Sequence, residues 1–218
     1  MFNHVDIKTL PRLKRQNVDG KRIYVNEQGG RYPSVTTVLG VRNKKRIMEW
    51  RQRVGAEEAD KISRKASTRG TRIHKFCEDY LNNKELPEMS LLDLDTWKTF
   101  KPVVDRIDNV HAVEPFLYSD HLQMAGQCDA IAEFDGKLSI IDFKTSKRKK
   151  YHKGISNYFA QCAAYAIMYE ERTGTPIDRT VVLIAVDGDE PQIFIENRDN
   201  YTDYLLESKK MFDNNLYD

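Results

Sequence analysis

The sequence has few of the features that mark exported, membrane-spanning or disulfide-bonded proteins. It contains three cysteines among 218 residues, an odd number without Cys-x-x-Cys spacing, which argues against a disulfide framework and a structural zinc site. Its longest uninterrupted apolar run, Val181 to Val186, is far short of the ~20 residues that a spanning helix needs. The N-terminus carries Asp6 and no apolar stretch, so no secretory signal is visible. We therefore expect a cytoplasmic protein with no membrane partner.

Linkers and internal repeats are also absent from the sequence. The 7 prolines and 11 glycines are scattered along the chain, and at ~100 to 200 residues per domain this length indicates one domain, residues 1–218. Within it we expect an N-terminal hairpin with a basic helical region over about residues 21–109. A sheet core should follow over about residues 110–218.

Charge is segregated along the chain, although the net charge is only +2. Residues 42–72 contain 11 Lys/Arg and 4 Asp/Glu, whereas residues 186–218 contain 3 Lys/Arg and 9 Asp/Glu. A second basic cluster covers residues 147–150. Basic surfaces of this kind bind polyanions, but a run of charge can also be an ordinary solvated face.

Turn residues and periodicity predict an α/β fold with a mixed sheet flanked by helices. A strand over Lys21–Asn26 and a return over Arg31–Pro33 form a hairpin, and Ser34 can cap a short helix over residues 35–39. Further helices are predicted at about residues 44–66 with a break at Gly55, then at 68–81, 94–109, 158–169 (at most 155–172) and 201–212. Strands are predicted at residues 111–118, 127–134, 137–143, 181–186 and 192–195.

Asp142 and Lys144 stand at the end of an apolar strand and share one of its faces, because strand side chains alternate. A buried carboxylate or ammonium group is costly unless it is paired or binds a metal. Asp135-Gly136 predicts a two-residue turn, which puts Asp129 directly opposite Asp142, with Cβ atoms ~4.5 to 5.5 Å apart. Such carboxylates repel each other unless a divalent cation lies between them. The alternative is a register slip that leaves Asp129 in solvent.

Two predicted helices carry polar pairs at a spacing of four residues. His74 and Glu78 share one helix face, and Gln161 and Tyr165 share another. From the residues alone, His74 is either a metal ligand or a structural histidine, and Glu78 either supports it or lies on the surface. The face of Gln161 and Tyr165 either belongs to the site or is tightly packed. Glu114, one strand before the hairpin, either reaches the site or is structural.

These residues form an ordered set of motifs, which resembles the RecB-type branch of the PD-(D/E)xK nucleases. In chain order the motifs are Gly70-Thr71-Arg72-Ile73-His74 with Glu78, Gly126-Gln127-Cys128-Asp129, Ile141-Asp142-Phe143-Lys144-Thr145-Ser146, and Gln161 with Tyr165. The segment Tyr32-Pro33-Ser34-Val35-Thr36-Thr37-Val38-Leu39 is similar to phage exonucleases and to the mitochondrial genome maintenance exonucleases. The resemblance covers about residues 22–186.

The resemblance implies a restriction-endonuclease-like fold whose sheet core is catalytic and hydrolyses phosphodiester bonds with the help of a metal. It implies that His74, Asp129 and Asp142 hold Mg²⁺ or Mn²⁺, with the carbonyl of Phe143 as a further ligand. An imidazole ligand should tilt the preference toward Mn²⁺. Lys144 would orient the attacking water and stabilise the charge that develops on the phosphate. The remaining implied catalytic residues, Gln161 and Tyr165, would support Lys144 or contact DNA.

Once the motifs are assigned, the basic clusters become expected phosphate contacts, because they lie next to the motifs in the chain. The expected DNA-binding residues are Ser34, Thr36, Arg69, Arg72, Thr145, Ser146, Lys147, Arg148, Lys149 and Lys150.

The leading hypothesis is a DNA exonuclease that prefers single strands and digests them from an end. Its expected role is in phage-type recombination, repair or DNA degradation, in the host cytoplasm if a phage encodes it. The alternatives are a structure-selective endonuclease and a non-catalytic nucleic-acid-binding module with a vestigial site; a protein partner stays open. Several RecB-type relatives carry four cysteines for an iron-sulfur cluster, whereas this chain has Cys77, Cys128 and Cys162. We expect no such cluster.

Overall fold

A computed structural model describes residues 1–7 and 9–216, so the predicted domain, residues 1–218, includes three residues that lie outside the described part. The helices are α1 (Val35–Gly40), α2 (Lys44–Val54), α3 (Ala56–Leu81), α4 (Leu91–Val104), α5 (Ser156–Thr173) and α6 (Thr202–Asp213). The strands are β1 (Lys14–Val18), β2 (Lys21–Val25), β3 (Arg31–Pro33), β4 (Ile107–Val113), β5 (Phe116–Ser119), β6 (Met124–Gln127), β7 (Ala130–Phe134), β8 (Lys137–Ser146), β9 (Arg179–Val186) and β10 (Gln192–Asn197). Among these residues, no helix combines the length and apolar character that crossing a membrane requires.

Five strands form a mixed central sheet in the order β10-β9-β8-β7-β4. Strands β8 and β9 are parallel, and the other neighbouring pairs are antiparallel. Strand β8 lies in the middle because its apolar residues, such as Ile140 and Ile141, can be buried on both faces. The predicted α/β fold with a mixed sheet is confirmed.

Side chains of the central strands alternate between two hydrophobic cores, one on each face of the sheet. Ile140 and Val182 belong to the core that α1 and α5 cover. Ile141 and Val181 belong to the core that α3 and α4 cover. Helices therefore flank the sheet on both faces, as predicted.

The hairpin between β7 and β8 turns at Asp135 and Gly136, whose φ angles of 50° and 72° are those of a type I′ turn. Pairing runs from Phe134 opposite Lys137 to Ala130 opposite Ile141. The same register continued by one residue brings Asp129 to the position facing Asp142. The predicted turn and register are confirmed, and they set the two carboxylates side by side.

Helix α3 runs without interruption from Ala56 to Leu81, so the predicted break between residues 66 and 68 is wrong. Between residues 44 and 81 the helical conformation is interrupted at Gly55, where φ is 86°. Gly70 lies inside α3 without ending it, because the helix is held by burial of residues such as Ile73 and Phe76 on its sheet-facing side. The helix predicted over residues 94–109 corresponds to α4, which begins and ends earlier in the chain, at Leu91 and Val104, and is capped by Ser90.

The single strand predicted over residues 111–118 is two strands in the structure. Strand β4 ends at Val113, and Glu114 takes a φ of 53° that turns the chain before Pro115. Strand β5 then pairs with β6 in a separate two-stranded sheet. This turn directs Glu114 toward the cleft described below.

The N-terminal strands form a three-stranded sheet, β1-β2-β3, that is one strand larger than the predicted hairpin. Strands β2 and β3 are confirmed, whereas β1 escapes prediction because its residues are almost all polar and all exposed. Helix α1 follows as predicted, with Ser34 Oγ accepting a hydrogen bond from Thr37 N at 3.0 Å.

Candidate active site

A cleft of about 670 Å³ lies between the N-terminal sheet, helix α3, helix α5 and the adjoining ends of β7 and β8. Nine of the residues singled out in the sequence line it: Ser34, Thr36, His74, Glu78, Glu114, Asp129, Lys144, Gln161 and Tyr165. Asp142 is fully buried behind them. The cleft thus brings together motifs that are far apart in the chain.

The two carboxylate oxygens of Asp129 have different partners. Oδ2 accepts a hydrogen bond from the backbone N–H of Phe143 at 2.7 Å. Oδ1 lies 3.4 Å from Nδ1 of His74, on helix α3. Because the neighbouring strand fixes one oxygen, the other is held toward the imidazole and the cleft.

His74, Glu114 and Asp129 form a cluster in which one potential ligand atom from each lies within 4.8 Å of the others. An imidazole and two carboxylates are ligands suited to Mn²⁺ and, through their oxygens, to Mg²⁺. The side chains present therefore fit a divalent cation. Asp142 lies outside this 4.8 Å group, although the sequence motifs implied that it would join His74 and Asp129.

Crowding of charge shifts the pKa values of all three groups in this cluster. Burial and the nearby Asp129 charge raise the pKa of Glu114 to about 7. Burial opposes the charged form of His74, but the charge and the hydrogen bond of Asp129 together outweigh it and raise the pKa of the imidazole. Burial likewise opposes ionisation of Asp129, but His74, Lys144 and the backbone N–H of Phe143 together outweigh it and lower the pKa of Asp129. A bound cation would relieve this competition between neighbouring carboxylates.

The buried Asp142 forms an ion pair with the partly buried Lys144 beside the cluster. The second oxygen of Asp142, Oδ1, accepts a hydrogen bond from Nε2 of Gln161 at 3.1 Å. The ammonium group of Lys144 also lies 3.5 Å from the carbonyl oxygen of Phe143 and 5.1 Å from the centre of the Tyr158 ring. Oδ1 of Asp142 is thus hydrogen-bonded to Gln161, whereas the buried Oδ2 is engaged by the ion pair with Lys144.

Burial and the pairing of these two groups act in opposite directions on their pKa values. Burial raises the pKa of Asp142 to about 6, with Lys144 opposing this rise. Burial acts against the charged form of Lys144, but the charges of Asp142 and Asp129 outweigh it and raise the pKa of the ammonium group. Lys144 is therefore protonated at neutral pH and available as a proton donor in hydrogen bonds.

Tyr165 is buried one helical turn beyond Gln161, and its ring packs on Gly126. A Cβ atom at Gly126 would lie 2.7 Å from Cε1 and 2.8 Å from the hydroxyl oxygen of Tyr165. Strand β6 therefore needs glycine at this position for α5 to approach so closely.

Glu78 lines the cleft, but its carboxylate pairs with Lys75 at 3.2 Å. No contact between Glu78 and His74 is found among the described residues, although the two share a helix face.

Several residues predicted to bind DNA already have acidic partners. Arg69 forms an ion pair with Asp187, and Arg72 forms one with Asp93 at 2.9 Å. Further along, Lys149 Nζ lies 2.7 Å from Asp189, and Ser146 Oγ donates a hydrogen bond to the carbonyl of Arg148. The remaining members of this set have varied surroundings: Thr145 lies next to Gly70, and Lys147, Arg148 and Lys150 are exposed.

The cleft also contains residues that the sequence analysis missed. Arg15, Arg22 and Tyr24 reach it from β1 and β2, and Asn157 reaches it from α5. The spacing of four that joins Gln161 to Tyr165 could have revealed Asn157, one turn earlier. No sequence signal indicated Arg15, because β1 has no apolar alternation. Nothing in the predicted strand over Lys21–Asn26 marked Arg22 and Tyr24 as cleft residues.

The comparisons with known proteins agree with this geometry. The family model of the PD-(D/E)XK nuclease superfamily matches residues 45–209. Mitochondrial genome maintenance exonuclease 1 of Homo sapiens is 28% identical over 129 residues, which cover 54% of this chain and 38% of the human protein. The Xenopus tropicalis protein of the same name is 27% identical over 172 residues, which cover 72% of this chain and 49% of that protein.

This chain thus matches half or less of the length of these curated relatives. A solved structure from Eubacterium rectale has a TM-score of 0.47 and 16% sequence identity, covering 67% of this chain and 64% of that one. Because the family model matches most of the chain, including every residue of the candidate metal-ligand cluster, His74, Glu114 and Asp129, the protein belongs to the PD-(D/E)XK nuclease superfamily.

Proposed function

We propose that the protein is a divalent-metal-dependent DNA exonuclease that hydrolyses single-stranded DNA from an end. The observation that carries the proposal is the cluster of His74, Glu114 and Asp129 beside the ion pair of Asp142 and Lys144, in an open polar cleft. Membership of a nuclease superfamily and the exonuclease names of the curated relatives support it. A role in phage-type recombination, repair or DNA degradation is part of the same proposal.

His74, Glu114 and Asp129 would hold the metal, with Asp142 and the carbonyl of Phe143 next to them. A bound Mg²⁺ or Mn²⁺ would neutralise phosphate charge, acidify a water molecule and stabilise the leaving oxygen. The imidazole in the ligand set favours Mn²⁺ relative to a site made only of oxygen atoms.

Lys144 would act on the reacting phosphate directly. Its ammonium group is charged and held by Asp142 at the edge of the cleft. From there it can donate hydrogen bonds to the attacking water and to a phosphate oxygen whose negative charge grows during hydrolysis. Gln161 keeps Asp142 in place by its hydrogen bond to Oδ1, so it acts as a positioning residue.

The preference for a single strand is supported by the walls of the cleft and by helix α2. None of the residues of α2 is buried, and Ile47 and Met48 are 48% and 52% exposed beside Lys44, Lys45 and Arg46. The charge of Arg46 acts on the hydroxyl of Tyr158, which lines the cleft. Exposed apolar groups among positive charges suit unpaired bases, which a duplex keeps stacked inside.

The test is cleavage of end-labelled linear single-stranded DNA in Mg²⁺, in Mn²⁺ and in a chelator. We expect cleavage in both metals and none in the chelator. Lys144→Ala should lower the rate at least ~100-fold, about 3 kcal/mol of transition-state stabilisation. The matched control is Lys137→Ala, at the other end of β8, where the lysine makes only an exposed ion pair with Asp178. Cleavage without metal, or equal rates for both variants, would contradict the proposal.

A further inference from the structure

The N-terminal hairpin of β1 and β2 is firmly attached to the rest of the protein on one side. Tyr24 and Tyr32 are buried, and their rings lie 6.0 Å from Phe116 and 5.2 Å from Tyr118. The hydroxyl of Tyr32 donates a hydrogen bond of 2.5 Å to Asp120. Side chains that share the face of Tyr24 therefore have a fixed base beside the cleft.

Arg15 and Arg22 are diagonal neighbours on this hairpin. Arg15 pairs with Tyr24 across the two strands, and Arg22 pairs with Asn17. Diagonal positions of this kind share a face of the sheet and lie ~7 to 8 Å apart. Both arginines are exposed, and both line the active-site cleft.

The cleft continues across the hairpin beyond the metal-ligand cluster. A second recess of about 380 Å³ is lined by Arg15, Gln16, Asn17, Gly20 and Arg22. It shares Arg15 and Arg22 with the active-site cleft. The two arginines thus lie at the junction of the active-site cleft and the second recess. The amide side chains of Gln16 and Asn17 continue the polar lining into that recess.

These arginines differ from the other cations of the cleft in having no acidic partner. Lys75 pairs with Glu78 and with Asp79, at 3.2 and 2.9 Å, and Lys144 pairs with Asp142. Over residues 1–7 and 9–216, neither Arg15 nor Arg22 takes part in an ion pair. Their charges are therefore uncompensated next to a carboxylate cluster that would otherwise repel an anionic strand.

We propose that Arg15 and Arg22 bind backbone phosphates of the single strand and guide it from the metal-ligand cluster along the hairpin. Guanidinium groups suit this task because they remain charged and can donate two hydrogen bonds to one phosphate. The inference rests on the proposed function, since it concerns the same substrate. It adds a substrate-binding wall formed by residues outside the nuclease motifs and outside the matched family region, which begins at residue 45.

The test measures binding of a labelled oligothymidylate by fluorescence anisotropy, in chelator and at several salt concentrations. For single strands, the slope of log K against log salt is about −0.7 per neutralised phosphate. We expect Arg15→Gln and Arg22→Gln each to weaken binding and to make the slope shallower by ~0.7, and the double variant by ~1.4. Lys14→Gln is the matched control, because it removes one charge from β1 at an exposed position that does not line the cleft.

Two further readouts separate a binding role from damage to the fold. Arg22→Lys keeps the positive charge, so it should restore most of the salt dependence of binding that Arg22→Gln loses. In cleavage assays the glutamine variants should raise KM with little change in kcat, as expected when binding is lost equally from substrate and transition state.

The outcomes separate this inference from the proposed function. If the arginine variants have the same affinity and salt slope as Lys14→Gln while the unmodified protein binds and cleaves single strands, the hairpin inference is overturned and the nuclease proposal stands. If the unmodified protein neither binds nor cleaves single-stranded DNA, both are overturned.

Discussion

At the scale of single residues, the candidate metal-ligand cluster depends on how each carboxylate oxygen is held. The backbone of β8 occupies one oxygen of Asp129 and leaves the other facing His74. Glu114 reaches the same place because a positive φ angle turns the chain at that residue. Asp142, in contrast, is neutralised by Lys144 and held by Gln161. The two buried aspartates thus have different surroundings although they face each other.

Glu114→Gln tests whether this residue is a metal ligand. Removing one negative charge from the cluster should weaken Mn²⁺ binding about tenfold or more, because affinity depends on ligand charge. Glu78→Gln is the matched control, since the Glu78 carboxylate pairs with Lys75 instead of joining the cluster. Isothermal titration calorimetry with Mn²⁺ measures both variants. If the two variants lose the same amount of Mn²⁺ affinity, or if Glu114→Gln loses none, Glu114 is structural.

Sequence patterns located part of the site and missed the rest for identifiable reasons. Strand alternation and the Asp135-Gly136 turn predicted that Asp129, Asp142 and Lys144 lie together, whereas His74 joined them only through the resemblance to the nuclease family. The ion pairs of Arg69 and Arg72 could not be anticipated, because their partners lie 118 and 21 residues away and depend on the tertiary fold. Whether a basic residue is available to DNA is therefore not readable from its place in the chain.

At the scale of secondary structure, prediction succeeded where local chemistry determines geometry. Asp135-Gly136 specifies a type I′ turn, and that turn fixes the register of β7 and β8. It failed at β1, whose polar residues gain their strand conformation by pairing with β2. It failed again at Glu114, where the following Pro115 is compatible with an edge strand as well as with the turn between β4 and β5 that the structure shows.

Gly126→Ala tests the close packing of strand β6 against helix α5. The added methyl group would collide with the ring of Tyr165, and the resulting shift should lower the free energy of unfolding by about 1 to 3 kcal/mol. Gly154→Ala is the control, because a Cβ there meets nothing within 4 Å and its φ is not positive. Urea denaturation compares the two variants. A Gly126→Ala protein as stable as the Gly154→Ala protein would mean that β6 and α5 are less closely packed.

At the scale of the whole molecule, the charge segregation of the sequence is partly cancelled by folding. Arg42 pairs with Glu207 at 2.7 Å, and Arg69 pairs with Asp187, so the basic segment contacts the acidic one. Lys149, in the second basic cluster over residues 147–150, pairs with Asp189 in the same acidic segment. The uncompensated positive surface is therefore smaller than the sequence suggests, and the exposed hairpin arginines add to it from outside the basic segments.

The central claim is that this cleft digests single-stranded DNA from an end. The most direct measurement compares a linear single strand with a covalently closed circle of the same sequence, in Mg²⁺ and in Mn²⁺, with Lys144→Ala as the inactive control. If the strand enters the cleft by its end, as we propose, the linear DNA is consumed while the circle persists. Cleavage of the circle at a rate comparable to the linear strand, abolished by Lys144→Ala, would contradict the exonuclease account and assign endonuclease activity to the same site.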